Sequence, residues 1–368
     1  MKQYPLAKPY ITSKDKRYVM KVLNSGYLSL GSQYGNFERA FAKKIGSKYA
    51  CAVSNGTAGL HLALLAAGIR DGDEVITSPF SFVASSNAIL YVGAKPVFAD
   101  IDPRTYNMDP GNIEEKITKK TKAILVVHIF GHPAEMTQII KIARKYNLKI
   151  IEDACESIGA TYRGRQVGTF GESGVFSFYP NKQIITGEGG MVVTNNKRIY
   201  DICSSLANQG RTPNMQWLDH RRLGYNYRMD EMSAALGVAQ LERLEFIIKQ
   251  RRKIADFYTA QLKPHSDIIQ IPYVDRLSTH SWFVYVIRLL RKNANREKII
   301  EGLKARGIAS KPYMPSIHLF SFYKKMGYKS GDSPVSEAAS ASTLALPFYI
   351  GLTREDIKYI VKSTLTLL

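Results

Sequence analysis

Tyr49-Ala50-Cys51-Ala52-Val53-Ser54-Asn55-Gly56-Thr57-Ala58-Gly59-Leu60-His61-Leu62-Ala63-Leu64-Leu65-Ala66-Ala67 is the stretch on which the fold turns. A short apolar run (49–53) ends in a turn and N-cap cluster (54–57) and passes into an apolar helix. Strand, turn and helix in that order are the grammar of a doubly wound sheet. The same grammar recurs as far as Val193. Residues 74–77 before Ser78-Pro79, and then 95–100, 123–128, 149–153 and 174–178, all read as strands. Their apolar residues are nearly continuous, as in strands covered on both faces. The expected fold is α/β, a mostly parallel central sheet flanked by helices, with its function at the strand ends.

Further along, 230–247 carries a strong helical period and 250–262 continues it, which predicts a long helix or a helix pair. Residues 282–289 are strand-like, 295–306 form a helix closed by Gly307, and 354–363 form a last helix after Leu346-Pro347. Two domains are expected: residues 1–249 as the large one, with the N-terminal segment, and 250–368 as a smaller α+β domain.

The 368 residues, 45% hydrophobic and 22% charged, supply a core and argue against general disorder. No apolar run approaches the roughly 18–20 residues that cross a bilayer. The start, Met1-Lys2-Gln3-Tyr4-Pro5, has no apolar segment after its charge, so the expected location is the cytoplasm. Cys51, Cys155 and Cys203 lie far apart and form no zinc or disulfide pattern. His128 and His132 flank 129–131 but lack a carboxylate or cysteine to complete a metal site, so no metal is expected. The net charge of +20 suits nucleic acid or a small anionic ligand. Its basic residues are spread along the chain, without a zinc finger, an arginine-glycine tract or a basic tail, which favours a solvated basic surface that draws in anionic substrates over nucleic acid.

The chemistry gathers around Lys182 and Asp153. Lys182 follows the run Ser177-Phe178-Tyr179-Pro180-Asn181 and precedes Gly187-Glu188-Gly189-Gly190, so a loop presents it. Asp153 ends the run 149–153, where a parallel sheet opens its ligand crevice. Pyridoxal phosphate needs a lysine for its Schiff base and an acid to keep its pyridine nitrogen protonated. Gly56-Thr57-Ala58 opens a helix, where free N–H groups favour a phosphate, and Thr57 and Ser177 add hydroxyls. Each residue also has a plain reading: a solvated loop lysine, an Asp153 that caps a helix, a Thr57 that caps its own.

With those motifs quoted, the sequence resembles the fold-type-I pyridoxal-phosphate aminotransferases that act on nucleotide-linked keto sugars, the DegT/DnrJ/StrS-like family. The resemblance spans nearly the whole chain. It includes 54–60, 72–75, 80–84, 152–155, 176–182, 187–190, Gly224-Tyr225-Asn226-Tyr227-Arg228-Met229 and 344–348. It implies that Lys182 carries the cofactor and Asp153 pairs with the pyridinium nitrogen. Thr57, Ala58 and Ser177 then hold the phosphate, Phe82 stacks on the ring, and Asn226 reaches the phosphate of a neighbouring subunit. That arrangement implies a homodimer with shared active sites. Phe82 read plainly is a core phenylalanine.

Glu156 stands where many members carry glutamine, near the cofactor's phenolic oxygen. Glutamate there, with 186–191, is similar to the perosamine-synthase branch, which aminates C4 of a GDP-linked 4-keto-6-deoxy sugar for polysaccharide such as O-antigen. UDP- or dTDP-linked sugars and C3 amination remain alternatives, as does a non-catalytic regulator keeping the cofactor fold. L-Glutamate is the family's usual donor. Lys182 argues against the related dehydratases, which carry histidine there. For the diphosphate, cationic loop residues are the candidates: Arg211, Arg228, Lys311 and His318. The long polar and aromatic loop 208–228 is expected to cover the sugar.

Overall fold

The computed structural model describes residues 2–212, 219–291 and 294–368. Helices α1 (Ser13–Ser25) and α2 (Ser32–Ile45) precede the first strand. Strands β1 (Tyr49–Val53), β2 (Glu74–Thr77), β3 (Lys95–Phe98), β4 (Thr121–Val127) and β5 (Lys149–Asp153) follow. A short hairpin, β6 (Thr161–Tyr162) and β7 (Arg165–Gln166), then leads into β8 (Ser173–Ser177) and β9 (Gly190–Thr194). The central sheet has seven strands in the order β1-β9-β8-β5-β4-β2-β3. Pairing is parallel from β3 through β8, and β9 runs antiparallel to both β8 and β1. The expected α/β fold is therefore present, with one reversed strand.

Both faces of the sheet are covered. Along β1, Cys51 and Val53 enter a core with Leu60 and Leu64 of helix α3 (Gly56–Ala66), while Ala50 and Ala52 enter one with Phe37 and Phe41 of α2. This is the alternation that a strand buried on both sides requires. Gly59 sets how closely α3 approaches: a Cβ there would stand 2.7 Å from Val175 Cγ1 of β8. The N-terminus of α2 is held from a distance. Buried Glu231 accepts the N–H groups of Gly31 (3.0 Å), Gln33 (2.7 Å) and Tyr34 (2.9 Å), which α2 cannot satisfy internally.

The C-terminal region forms a four-stranded antiparallel sheet from β10 (Ile269–Gln270), β12 (Tyr285–Leu289), β13 (Lys311–Pro312) and β14 (Thr343–Leu346), in the order β10-β12-β14-β13. Strand β11 (Ser278–Thr279) instead joins the β6/β7 hairpin. The helical run beyond 230 is a pair, Glu231–Leu241 and Leu244–Leu262, and the second helix crosses the division expected at 249. Its Leu244 and Ile247 pack with Phe41 and Phe176, whereas Ile254, Tyr258 and Leu262 pack with Tyr285 and Ile360. The N-terminal segment also crosses over. Tyr4 lies in the core of the C-terminal sheet, bridges to Ile308 and hydrogen-bonds Asp356 at 3.2 Å, 352 residues away. No helix among the described residues is long and apolar enough to cross a membrane.

Candidate active site

A cavity of about 1140 Å3 opens at the carboxyl ends of the parallel strands. Its floor begins at α3. Asn55, whose side chain accepts the Ala58 N–H at 2.8 Å, caps that helix, so Thr57 is not its cap and faces the cavity. Gly56 permits the approach: a Cβ there would lie 2.9 Å from both Cys155 Sγ and Ser177 Cβ. The helix start thus abuts Ser177 at the end of β8, giving backbone N–H groups and two hydroxyls in one anion cradle.

Asp153 ends β5, next to β8 in the sheet, and also lines the cavity, buried at 6% exposure. Residues 154–160 are not helical, so it caps no helix. Its Oδ1 accepts the Cys155 N–H at 3.1 Å and its Oδ2 accepts the Ser85 hydroxyl at 2.7 Å. Ser81 Oγ lies a further 2.9 Å from Ser85 Oγ, so a line of hydroxyls supports the carboxylate. Phe82 is 62% exposed, an unusual state for phenylalanine, and offers a bare ring to the cavity rather than filling a core.

Lys182 enters from the loop after β8, its side chain only 12% exposed. Nζ stands 3.7 Å from Glu156 Oε1 and 4.1 Å from the centre of the Phe283 ring. Burial pushes the Glu156 carboxyl up, against the pull of the Lys182 charge and of the Phe130 N–H that donates to Oε2 at 2.8 Å. Gln183 fixes the loop by donating to the Glu156 carbonyl at 2.6 Å and to Ser281 Oγ at 2.9 Å. Cys155 is no nucleophile: burial, and then the Asp153 charge, push its thiol up. His61, Tyr91, Tyr225 and Tyr227 form an aromatic wall, and burial pushes the His61 imidazole down, towards its neutral form.

One cavity thus holds an anion cradle narrowed by a glycine, a buried carboxylate, a bare aromatic ring and a primary amine. These residues fit pyridoxal phosphate at its phosphate, its ring nitrogen, its ring face and its aldehyde. Residues 9–365 match the model of the DegT/DnrJ/EryC1/StrS aminotransferase family. The chain belongs to that family. GDP-perosamine synthase of Escherichia coli O157:H7 is 41% identical over 364 residues, covering 99% of this chain and 98% of that one. PseC of Helicobacter pylori, an aminotransferase in pseudoaminic acid biosynthesis, superposes with a TM-score of 0.94 at 29% identity, covering 100% and 99% of the two chains. Spr1654 of Streptococcus pneumoniae, solved in its PLP form, gives 0.94 at 26% identity with full coverage of both chains. As a DegT/DnrJ/EryC1/StrS aminotransferase, the protein is a pyridoxal-phosphate-dependent transaminase.

Against the sequence expectations, Thr57, Ala58, Phe82, Asp153, Glu156, Ser177, Lys182 and Lys311 all border the cavity. Four candidates do not. His318 is fully buried outside it, its Nε2 3.0 Å from Glu337 Oε1, and is a packed structural histidine rather than a substrate ligand. Arg228 donates to Asn208 Oδ1 at 2.9 Å, and Arg211 pairs through its backbone with His220. Asn226 is exposed and does not itself line this chain's own cavity, although Tyr225 and Tyr227 on either side of it do. Part of the expected sugar cover, residues 213–218, lies outside the described residues. His128 is a partner of buried Glu152 at 3.0 Å, and no metal-holding cluster occurs among the described residues. Sequence reading missed Ser85 and Phe283. Ser81 and Ser85, four residues apart where an apolar stretch enters the helix Ala84–Tyr91, were the available signal for the first.

Proposed function

We propose that the protein transfers the amino group of L-glutamate to C4 of a GDP-linked 4-keto-6-deoxy sugar. Its product then serves surface polysaccharide synthesis, O-antigen being one such polymer. The observation that carries this reading is Glu156 beside Lys182, in a chain 41% identical over nearly its whole length to a GDP-perosamine synthase. Lys311 supports a diphosphate ligand: with Lys182 it is one of two basic amines at the cavity among the described residues, and it is exposed.

Bound pyridoxal phosphate supplies the electron sink that lets a carbon next to nitrogen release its proton. The start of α3, Thr57 and Ser177 would hold the phosphate, and Phe82 would offer its face to the ring. Asp153, oriented by the Cys155 N–H and the Ser85 hydroxyl, would pair with the ring nitrogen and hold a proton there. Lys182 Nζ anchors the cofactor, takes the proton from the glutamate Cα, and in the second half returns a proton to the sugar carbon. The apolar faces of Phe82, Phe283 and the tyrosine wall exclude water from that transfer.

The exposed Asn226 supports a homodimer in which each subunit completes its neighbour's phosphate site. A cytoplasmic location suits the nucleotide-sugar substrate. The test is spectroscopic. The visible band of the loaded protein is expected to bleach with L-glutamate and return with the GDP-linked keto sugar. Turnover of UDP- or dTDP-linked keto sugars in preference to the GDP-linked one overturns the substrate, and a band indifferent to glutamate overturns the donor.

A further inference from the structure

We infer that Arg251 is a positioning residue for Lys182, acting through the backbone of Trp282 and Phe283 to hold the Phe283 ring against the lysine amine. The inference rests on the aminotransferase reading above.

Arg251, on the helix Leu244–Leu262, is 5% exposed, lies 5.0 Å from the centre of the Phe348 ring and meets no carboxylate among the described residues. Burial pushes its guanidinium down to about 10. A buried cation without an acid partner is costly, and a methionine of similar length would pack there at less cost. Arginine supplies a fork instead. Nε donates to the Trp282 carbonyl at 2.6 Å and Nη2 to the Phe283 carbonyl at 2.7 Å. Two successive carbonyls reach one guanidinium because Trp282 has a left-handed backbone, φ +57°, a conformation that a bulky residue keeps only when its surroundings enforce it.

The facing segment is bent in the same way. Phe130 has φ +60° and Gly131 φ +92°, and a Cβ at Gly131 would lie 2.6 Å from Ser281 Oγ. Ser281 N–H donates to the Gly131 carbonyl at 2.9 Å and Phe283 N–H to the Phe130 carbonyl at 3.0 Å. Residues 281–283 are thereby gripped from one side by 130–131 and from the other by Arg251. The grip sets the Phe283 ring, 2% exposed, at 4.1 Å from Lys182 Nζ. A ring face at that distance attracts positive charge. When Lys182 takes the donor's Cα proton, the C–H bond breaks and leaves its electron pair on carbon for the bound cofactor to delocalise, an N–H bond forms, and Nζ gains the charge that the Phe283 ring stabilises.

The test uses the loaded enzyme with Phe283→Leu, Arg251→Met, Arg251→Lys and the double variant F283L/R251M. Single-turnover reaction with L-glutamate is expected to slow about tenfold in F283L and in R251M, with KM for glutamate little changed. The double variant is expected to be no slower than the slower single, because both remove one contact. A second readout is independent of turnover: the pH midpoint of the cofactor's visible band shifts to lower pH in F283L and R251M alike, and by less in R251K, which keeps the charge but not the fork. Should R251M fail to fold, the R251K shift carries the test. Wild-type rates and midpoints in R251M with only a lowered melting temperature overturn the inference, as do fully multiplicative losses in the double variant. A wild-type protein that never bleaches with glutamate defeats the aminotransferase reading instead.

Discussion

The Ser85 hydroxyl donates to Asp153 Oδ2 at 2.7 Å, and both groups are buried. A charge-assisted hydrogen bond of this kind contributes about 1.5–3 kcal/mol, because the carboxylate has no water to replace it. Ser85 therefore orients the Asp153 carboxylate. Ser85→Ala is expected to lower kcat about tenfold while cofactor capture, followed by the visible band, stays within about twofold. Asp153→Asn, which removes the charge itself, is expected to lose about 100-fold or more. Equal kcat for S85A and wild type across pH 6–9 would detach Ser85 from the carboxylate's role.

How much of this was legible in the sequence follows from the range of each interaction. β1, β2 and β5 announce themselves because a strand buried on both faces must be apolar throughout, and the residues that end β5 and follow β8 are the functional ones. Asp153 and Lys182 could thus be paired before any coordinates. β9 was not recognised as the reversed strand, because Gly190–Thr194 has the same apolar content whichever way it runs. The N-terminal segment was expected with residues 1–249, and Tyr4 lies in the core of the C-terminal sheet, since nothing local says that a tyrosine will find Asp356. His318 looked like a loop cation until Glu337 was seen to bury it. Arg251 and Phe283 matter through a junction between distant segments, and a junction leaves no periodic trace in either.

Gly56 makes the second prediction. A methyl group at this position meets Cys155 Sγ and Ser177 Cβ at 2.9 Å, closer than real Cβ contacts come, and neither neighbour is a flexible chain end. Gly56→Ala is expected to push the start of α3 away from Ser177 and to cost about 1–3 kcal/mol of stability. Cofactor affinity is expected to fall with it, since the N–H groups of the helix start no longer converge with the Ser177 hydroxyl. Spectrophotometric titration with pyridoxal phosphate and a thermal melt separate the two effects. An unchanged Kd would remove the cradle from the phosphate.

Lys311, on β13, lines the cavity and is exposed. If it receives the diphosphate, Lys311→Ala raises KM for the nucleotide sugar about tenfold and leaves the glutamate half-reaction untouched. The loss is expected to shrink as salt rises, because an exposed charge is screened. A slower glutamate half-reaction in K311A would place the residue in the donor's chemistry instead.

Glu38 tests the packing beneath β1. Its Oε1 accepts the Ala52 N–H at 2.9 Å, while Tyr34 donates to the Ala52 carbonyl at 2.8 Å. Burial lifts the Glu38 carboxyl from 4.5 to about 7, outweighing the Ala52 N–H that favours its charged form. The folded chain therefore holds this proton more tightly than the unfolded chain does. Its contribution to stability is complete below pH 4.5 and is lost as pH rises through 7. Glu38→Gln keeps the acceptor and removes the ionisation. The variant is expected to match wild type at pH 4.5 and to exceed it above pH 7 by about 1–3 kcal/mol, a gain of a few degrees in Tm. Paired melts at pH 4.5 and pH 8 measure the difference. A gain of the same size at both pH values would mean that the amide repacks α2 against β1, and that the carboxylate's charge is not what limits stability there.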